Sequence, residues 1–134
     1  MTNTTSFPLS KELKELGLKS EIKCGDYAYL ECCNELHLIH KDYVPRLNDV
    51  KWIKAYSTDE LLAILPENLD QRAEYYKKNL YIIKSAGSFR VFYGETGVMH
   101  NHKLLPEVLG LTCKYLLQSG YEFNGKEIVR KGEK

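Results

Sequence analysis

Two histidines in the pattern His100-Asn-His102 are the residues of this chain that are best spaced for metal chemistry. Alternate side chains of an extended segment point to the same side, so both imidazoles could face one ion. With Glu95 as a third ligand, they would suit a divalent metal and a metal-dependent hydrolase or nuclease. An exposed polar loop before a helix is the simpler interpretation. We therefore predict no catalytic residue and no metal here, and keep His100 and His102 as the alternative metal ligands.

The cysteines raise the question of a second metal site or of a thiol nucleophile. Structural zinc sites pair their ligands at short spacings such as C-x2-C and H-x3-5-H. The Cys and His residues between Cys24 and His40 do not have these spacings, although a metal in that region remains an alternative. Cys32 or Cys33 at a turn, with His37 nearby, is a candidate pair of nucleophile and base. Free thiols are the expected state, and no cofactor is predicted.

The elements that would position such residues are clearest in the last third of the chain. Apolar strands at 80–84 and 89–93 flank Ser85-Ala-Gly-Ser88, a pattern that predicts a hairpin. A helical periodicity follows from about Lys103 to Ser119 and supplies one apolar face. Cys113 falls within this helix and is expected to pack in the core. The hairpin and the helix together predict a packed unit.

Shorter elements are predicted upstream. Ser10 caps a helix that ends at Gly17. Ser57 and Glu60 form a capping-box pattern at the start of a second helix. Strands are predicted at 27–30, 36–39 and 52–56.

The order of these elements predicts an α+β fold. We expect an antiparallel sheet of about four to five strands, including the C-terminal hairpin, covered by helices, with the long C-terminal helix packed on one face. Residues 8–123 are predicted to form a single domain between a disordered lead at 1–7 and a flexible polar tail at 124–134. The stretch 67–79 is predicted as loop followed by strand.

Composition argues against several classes of function. The 134 residues include 19 Lys and Arg against 18 Asp and Glu, so nucleic-acid binding through phosphates is not expected. A weak nucleic-acid site in the basic cluster between residues 126 and 134 is kept as a second alternative. No apolar run reaches the roughly 20 residues of a membrane span. Met1–Ser6 lacks the features of a secretory signal, so the expected location is the cytoplasm.

Tyrosine is unusually frequent, with ten residues against four phenylalanines and one tryptophan. An apolar ring with a polar tip suits contact surfaces and half-buried strand faces alike. Tyr27, Tyr29, Trp52 and Tyr56 are the candidate binding residues on this argument. Packing of these rings within the sheet is the alternative.

Four segments of the chain resemble a group of small uncharacterised proteins encoded by tailed phages and prophages of Bacteroides-type bacterial hosts. The match runs over about residues 8–123 and consists mainly of helix caps, glycine stops and apolar faces. The segments that carry it are Ser10-Lys-Glu-Leu-Lys-Glu-Leu-Gly17, Tyr27-Ala-Tyr-Leu30, Ala55-Tyr-Ser-Thr-Asp-Glu-Leu-Leu-Ala-Ile-Leu-Pro66 and Leu117-Gln-Ser-Gly-Tyr121.

The resemblance implies a non-enzymatic accessory protein of a phage or mobile element in the cytoplasm of a bacterial host cell. Its partner would be a host or phage macromolecule, most naturally a protein and in some cases a component of host defence. The resemblance implies no catalytic residues. Self-association as a homodimer, through an exposed sheet edge or the uncovered face of the strands at 27–39, is a further prediction.

Overall fold

The computed structural model describes residues 4–19, 21–31, 34–39, 52–67, 69, 79–94 and 99–131. Its helices and strands confirm the α+β class, and every strand pairing is antiparallel. The strands are divided among three small sheets, whereas the sequence predicts one sheet of about four to five strands. The helices are α1 (Phe7–Glu15), α2 (Thr58–Ile64) and α3 (Leu105–Gln118), and the strands are β1 (Tyr27–Leu30), β2 (Glu35–Leu38), β3 (Trp52–Ala55), β4 (Leu80–Ser85), β5 (Ser88–Tyr93), β6 (Met99–His102), β7 (Tyr121–Phe123) and β8 (Ile128–Arg130).

Helix α3 lies at the centre of the main core. Pro106 is in its first turn, where the missing N–H costs no helical hydrogen bond. Its buried face packs against α1, α2 and the strands β5 and β6. The long C-terminal helix is therefore confirmed as the element that covers a sheet. No described helix has both the length and the apolar character that a membrane crossing requires.

Strands β4, β5 and β6 form a sheet in that order. The predicted hairpin is confirmed: β4 pairs with β5 from Leu80 opposite Tyr93 to Ser85 opposite Ser88. The two turn residues have positive φ angles, 51° at Ala86 and 79° at Gly87. Two successive left-handed residues define a type I′ turn, whose twist matches that of the flanking strands.

Ala86 is the unfavourable residue of this turn, because a Cβ strains the left-handed conformation. Asparagine tolerates that conformation, and Asn-Gly is the preferred type I′ pair. We expect Ala86→Asn to raise the free energy of unfolding by about 0.5–1 kcal/mol. Urea denaturation of both proteins measures the change. Asparagine in place of the exposed helical residue Lys11 is the control and should not stabilise the protein. An equal or lower stability of Ala86→Asn would contradict the turn assignment.

A second sheet has the order β2-β1-β3 and contains the three strands predicted in this region. On one face, Tyr29 and Ile53 form a small core with Phe7 from α1. The rings of Phe7 and Tyr29 meet edge to face with 5.4 Å between their centroids. Helix α1 thus joins this sheet to α3, against which it also packs.

The described part of the predicted lead at 1–7 is ordered. Thr5 is fully buried, and its N–H donates to the carbonyl of Tyr56 at 2.9 Å. Ser6, rather than Ser10, is the N-cap of α1. Both the N–H and the hydroxyl of Ser6 donate to the carboxylate of Glu107, each at 2.8 Å. The polar groups of Thr5 and Ser6, in the segment predicted to be a disordered lead, thus have partners within the fold.

The described part of the predicted tail is also structured. Strands β7 and β8 pair with Tyr121 opposite Arg130 and Phe123 opposite Ile128. Ile128 is fully buried in the main core. Ile128 and Val129, two apolar residues between charged neighbours, are too short a pattern to predict a strand of three residues. The loop and strand predicted for 67–79 lie mostly outside the described residues.

Candidate functional site

Two of the four candidate binding residues are core residues. Tyr29 is 9% exposed and Tyr56 is 2% exposed. The hydroxyl of Tyr29 donates to the carbonyl of Thr5 at 2.9 Å, and that of Tyr56 to the carbonyl of Leu18 at 3.0 Å. Burial raises the pKa of the Tyr29 phenol. Both rings therefore stabilise the fold and present no surface to a partner.

The other two candidates lie on opposite faces of the β2-β1-β3 sheet. Tyr27 is 38% exposed and sits opposite Ala55. Trp52 is half-buried, and its ring meets that of His37 edge to face with 5.5 Å between centroids. Since neighbouring positions of a strand alternate in direction, Tyr27 and Trp52 do not form one patch.

Trp52 and Tyr56 do line one cavity of about 170 Å³ between α1 and β3. The amine of Lys14 reaches across it to the carbonyl of Trp52 at 3.2 Å. Lys54 also lines it, but its amine pairs with Glu60 at 2.7 Å and with Asp26 at 3.4 Å.

The charge of Lys54 is therefore compensated within the fold. Burial lowers the pKa of Lys54, but the hydrogen bond and charge of Glu60, with a further contribution from Asp26, outweigh it and leave the pKa raised. Lys54 stays protonated, and two carboxylates already satisfy it. The charge of Lys54 is therefore not available to an anion in this cavity.

The two predicted metal ligands lie side by side on β6, as their spacing predicts. His100 pairs with Val91 and His102 with Phe89, which places both on the face that α3 covers. The ring of His100 meets that of Tyr115 on α3 with 5.8 Å between centroids, and burial lowers the pKa of His100.

His102 uses one ring nitrogen for local structure. Its Nδ1 accepts a hydrogen bond from the backbone N–H of Leu104 at 3.0 Å. Among the described residues, no group of three or more His, Cys, Asp or Glu side chains is arranged to hold a metal ion. Glu95, the proposed third ligand, lies outside the described residues.

Cys113 follows the packing prediction. Cys113 is buried in α3, and burial raises the pKa of its thiol, which keeps it protonated and unreactive. Cys24 is exposed and forms no disulfide. The predicted turn at Cys32 and Cys33, and His40 after it, lie outside the described residues.

An exposed apolar surface occurs instead on the β4-β5-β6 sheet. Val91 and Tyr93 of β5 are fully buried in the core with α3, so the residues between and beside them point the other way. We call this other side the outer face. The strand registers place on it one apolar row and one more polar row: Tyr81, Phe92 and Met99, and then Ile83, Arg90 and Asn101.

Three apolar side chains of the outer face are exposed to solvent. Tyr81 is 40% exposed, Ile83 45% and Met99 54%. The rings of Tyr81 and Phe92 stack with 5.2 Å between centroids and 18° between their planes. Helix α3 packs on the opposite face of the same sheet. Adjacent exposed apolar side chains of this kind are typical of contact surfaces.

The polar row borders a shallow hollow of about 240 Å³ beside the hairpin turn. Arg90 lines this hollow, and its Nε donates to the side-chain oxygen of Asn101 at 3.4 Å. The hydroxyl of Ser88 donates to the carbonyl of Ser85 at 3.3 Å on its rim. A guanidinium, an amide and hydroxyls therefore border the hollow next to exposed apolar side chains.

Sequence reasoning identified β4 and β5 as strands but did not identify their outer face as a candidate site. The signal was present in the run Leu80-Tyr-Ile-Ile83, which is apolar at every position. A strand with only one buried face alternates apolar and polar residues. A continuous apolar run on a two-layer fold therefore indicates a second apolar face, which must meet either a partner or solvent.

The basic C-terminal cluster is held partly by the β7-β8 hairpin. Arg130 lies in β8, and Lys126 is in the loop that precedes it. Glu122 and Glu127 lie among these cations. Removal of residues 126–134 would also remove buried Ile128, so a test of nucleic-acid binding requires charge reversals such as Lys126→Glu and Lys131→Glu.

Comparisons with known proteins found no match: no family model, no curated protein and no solved structure is similar to this chain.

Proposed function

We propose that this chain is a non-enzymatic binding protein and that its outer face contacts a protein partner. The observation that carries the proposal is the exposure of Tyr81, Ile83 and Met99 around the half-buried Phe92. Tyr29 and Tyr56 are buried and stabilise the fold. We therefore assign the surface for partner binding to the β4-β5-β6 sheet.

The chemistry of this face favours a protein over a nucleic acid. Aromatic side chains, Met and Arg are enriched in protein interfaces. Binding to a phosphate backbone requires several cations in register, and Arg90 is the one charged side chain among the described residues of the outer face. The apolar row therefore provides the contact area, and Arg90 would provide orientation.

The biological setting of the proposal follows from the resemblance to phage and prophage proteins. We place the chain among the accessory proteins of a phage or mobile element that act in the bacterial cytoplasm. A host or phage protein, including a component of host defence, would be the partner. A small fold with an exposed apolar surface is consistent with such a role.

A paired-variant capture experiment tests the proposal. Tyr81→Ser combined with Met99→Ser removes the apolar row, whereas Tyr27→Ser combined with Leu62→Ser removes side chains of similar exposure elsewhere. We expect wild type and the control to cross-link the same protein in host lysate with or without phage infection. The outer-face variant should lose that product on the order of tenfold.

The result depends on both variants remaining folded, which circular dichroism and thermal melting establish. A product that the outer-face variant retains would assign the contact to another surface. The absence of any specific product from either lysate would overturn the proposal that the chain acts by binding a host or phage protein.

A further inference from the structure

Among the described residues, no strand pairs with the outer edge of β4, which therefore has main-chain groups available for another strand. The N–H of Gly94 donates to the carbonyl of Asn79 at 3.0 Å, which identifies these two residues as a hydrogen-bonded pair. Such pairs alternate along an antiparallel ladder. The residues bonded to β5 are therefore 79, 81, 83 and 85, and Leu80, Ile82 and Lys84 direct their N–H and C=O groups away from β5.

One of these outward groups is already used within the fold. The N–H of Leu80 donates to the carbonyl of Glu67 at 2.8 Å, which confirms the direction of the alternation. Within the described residues, the N–H and C=O groups of Ile82 and Lys84 have no such partner. The free edge is thus a short segment centred on Ile83, with apolar side chains on both of its faces.

Two cations lie at or next to this edge. Lys84 is on the edge strand β4, and Arg90 is on the neighbouring strand β5. Lys84 lies over the ring of Phe89 at 5.6 Å and is exposed to solvent. The described residues of the β4-β5-β6 sheet include no Asp or Glu that could neutralise these two charges.

The hollow beside the edge has the groups that a carboxylate requires. Arg90 lies opposite Ile83 in the register, one strand in from the edge, and Asn101 lies beyond it. A guanidinium can bind a carboxylate through two parallel hydrogen bonds. Adjacent strands are about 4.8 Å apart, which places an added strand about 10 Å from β5. A long acidic side chain and the Arg90 side chain could together span this distance above Ile83.

We propose that β4 binds an extended acidic segment of a protein partner as an added strand. The main chain of the segment bonds to Ile82 and Lys84, and one of its carboxylates binds Arg90. This inference rests on the proposed function, because it gives the binding mode and the chemistry of the partner for the same sheet. Strand addition supplies affinity through the main chain, and the cations select the sequence.

A displayed library of random linear peptides, selected on the folded full-length chain, tests the proposal without knowledge of the partner. We expect enrichment of peptides with alternating β-branched and acidic residues. A synthetic peptide of the enriched sequence should bind less tightly at higher salt, because screening weakens the contact between its carboxylate and Arg90. Enrichment of neutral or basic peptides, or no enrichment, would overturn the proposal.

Matched variants separate main-chain from side-chain binding. Ile82→Pro removes an outward N–H without breaking the β4-β5 ladder, whereas Ile82→Ala keeps that N–H and removes only side-chain atoms. We expect the peptide to bind Ile82→Pro on the order of tenfold less tightly than Ile82→Ala. Arg90→Gln should weaken binding several-fold at low salt. Equal affinity for Ile82→Pro and Ile82→Ala excludes strand addition.

Amide hydrogen exchange on the wild-type protein gives a readout that does not depend on the folding of a variant. Bound peptide should protect the amides of Ile82 and Lys84, and unchanged exchange there would overturn the proposal. A wild-type dimer in sedimentation that Ile82→Pro dissociates would make a second copy of the chain the occupant and also overturn it. If only the outer-face variant loses the captured protein, the proposed function stands and the edge mode fails.

Discussion

Replacement of Tyr56 by alanine should lower the free energy of unfolding by about 4 kcal/mol, the typical loss for a large buried aromatic ring. Tyr56 is 2% exposed and belongs to the main core. Its N–H donates to the hydroxyl of Thr5 at 3.1 Å, and its phenol to the carbonyl of Leu18 at 3.0 Å. The ring thus fills space between segments that are distant in sequence. Its removal leaves a cavity that rigid neighbours cannot close.

Two further variants separate the ring from the hydroxyl and from general effects of losing a tyrosine. Tyr56→Phe keeps the ring and should cost about 1 kcal/mol, the net value of one hydrogen bond. Tyr27→Ala removes a ring that is 38% exposed and should cost less than about 1 kcal/mol. Urea denaturation of the three variants and the wild type measures the differences.

The outcome decides between two roles for Tyr56 that the sequence leaves open. A large loss for Tyr56→Ala with a small one for Tyr27→Ala identifies Tyr56 as a core residue. If Tyr56→Ala and Tyr27→Ala were equally stable, Tyr56 would return to the set of surface residues available to a partner.

The fold class was predictable because it depends on patterns within single elements. The capping box of Ser57 and Glu60 forms as predicted, with the N–H of Ser57 donating to the Glu60 carboxylate at 3.1 Å. The hairpin at Ser85–Ser88 and the apolar stripe of α3 also follow from local spacing. Each of these signals uses residues no more than a few positions apart.

The ends of the fold were not predictable because their partners are distant in sequence. Ser6 caps α1 while it binds Glu107, about a hundred residues away. Ile128 belongs to a run of only two apolar residues, and its burial depends on the core around α3. A short polar segment looks solvated until the groups that satisfy its hydrogen bonds are known.

The candidate surface was missed for a related reason. Residue type favours tyrosine at contact surfaces, but exposure depends on which face of a strand meets a helix. Tyr29 and Tyr81 both lie in apolar strands of similar appearance, yet Phe7 of α1 contacts Tyr29 whereas Tyr81 faces solvent. Only the packing of α1 and α3 distinguishes the two sheets in this respect.

A leucine in place of Gly110 should destabilise the protein by about 3 kcal/mol, because α1 crosses α3 at this glycine without space for a side chain. A Cβ at position 110 would lie 2.7 Å from Cδ2 of Leu9 and 2.9 Å from Cγ2 of Thr5. Both neighbours are buried, so neither can move into solvent. Leucine is a better helix former than glycine, so propensity alone predicts the opposite sign.

The matched control is Gln118→Leu, which introduces the same side chain at an exposed position of α3 and should change stability by less than about 0.5 kcal/mol. A double-mutant cycle with Leu9→Ala locates the overlap. Leu9→Ala alone removes buried contacts, but combined with Gly110→Ala it makes room for the new methyl group. The combined loss should then be smaller than the sum of the single losses. Strict additivity, or a Gly110→Leu protein as stable as the wild type, would mean that α1 and α3 are farther apart at this crossing than the structure places them.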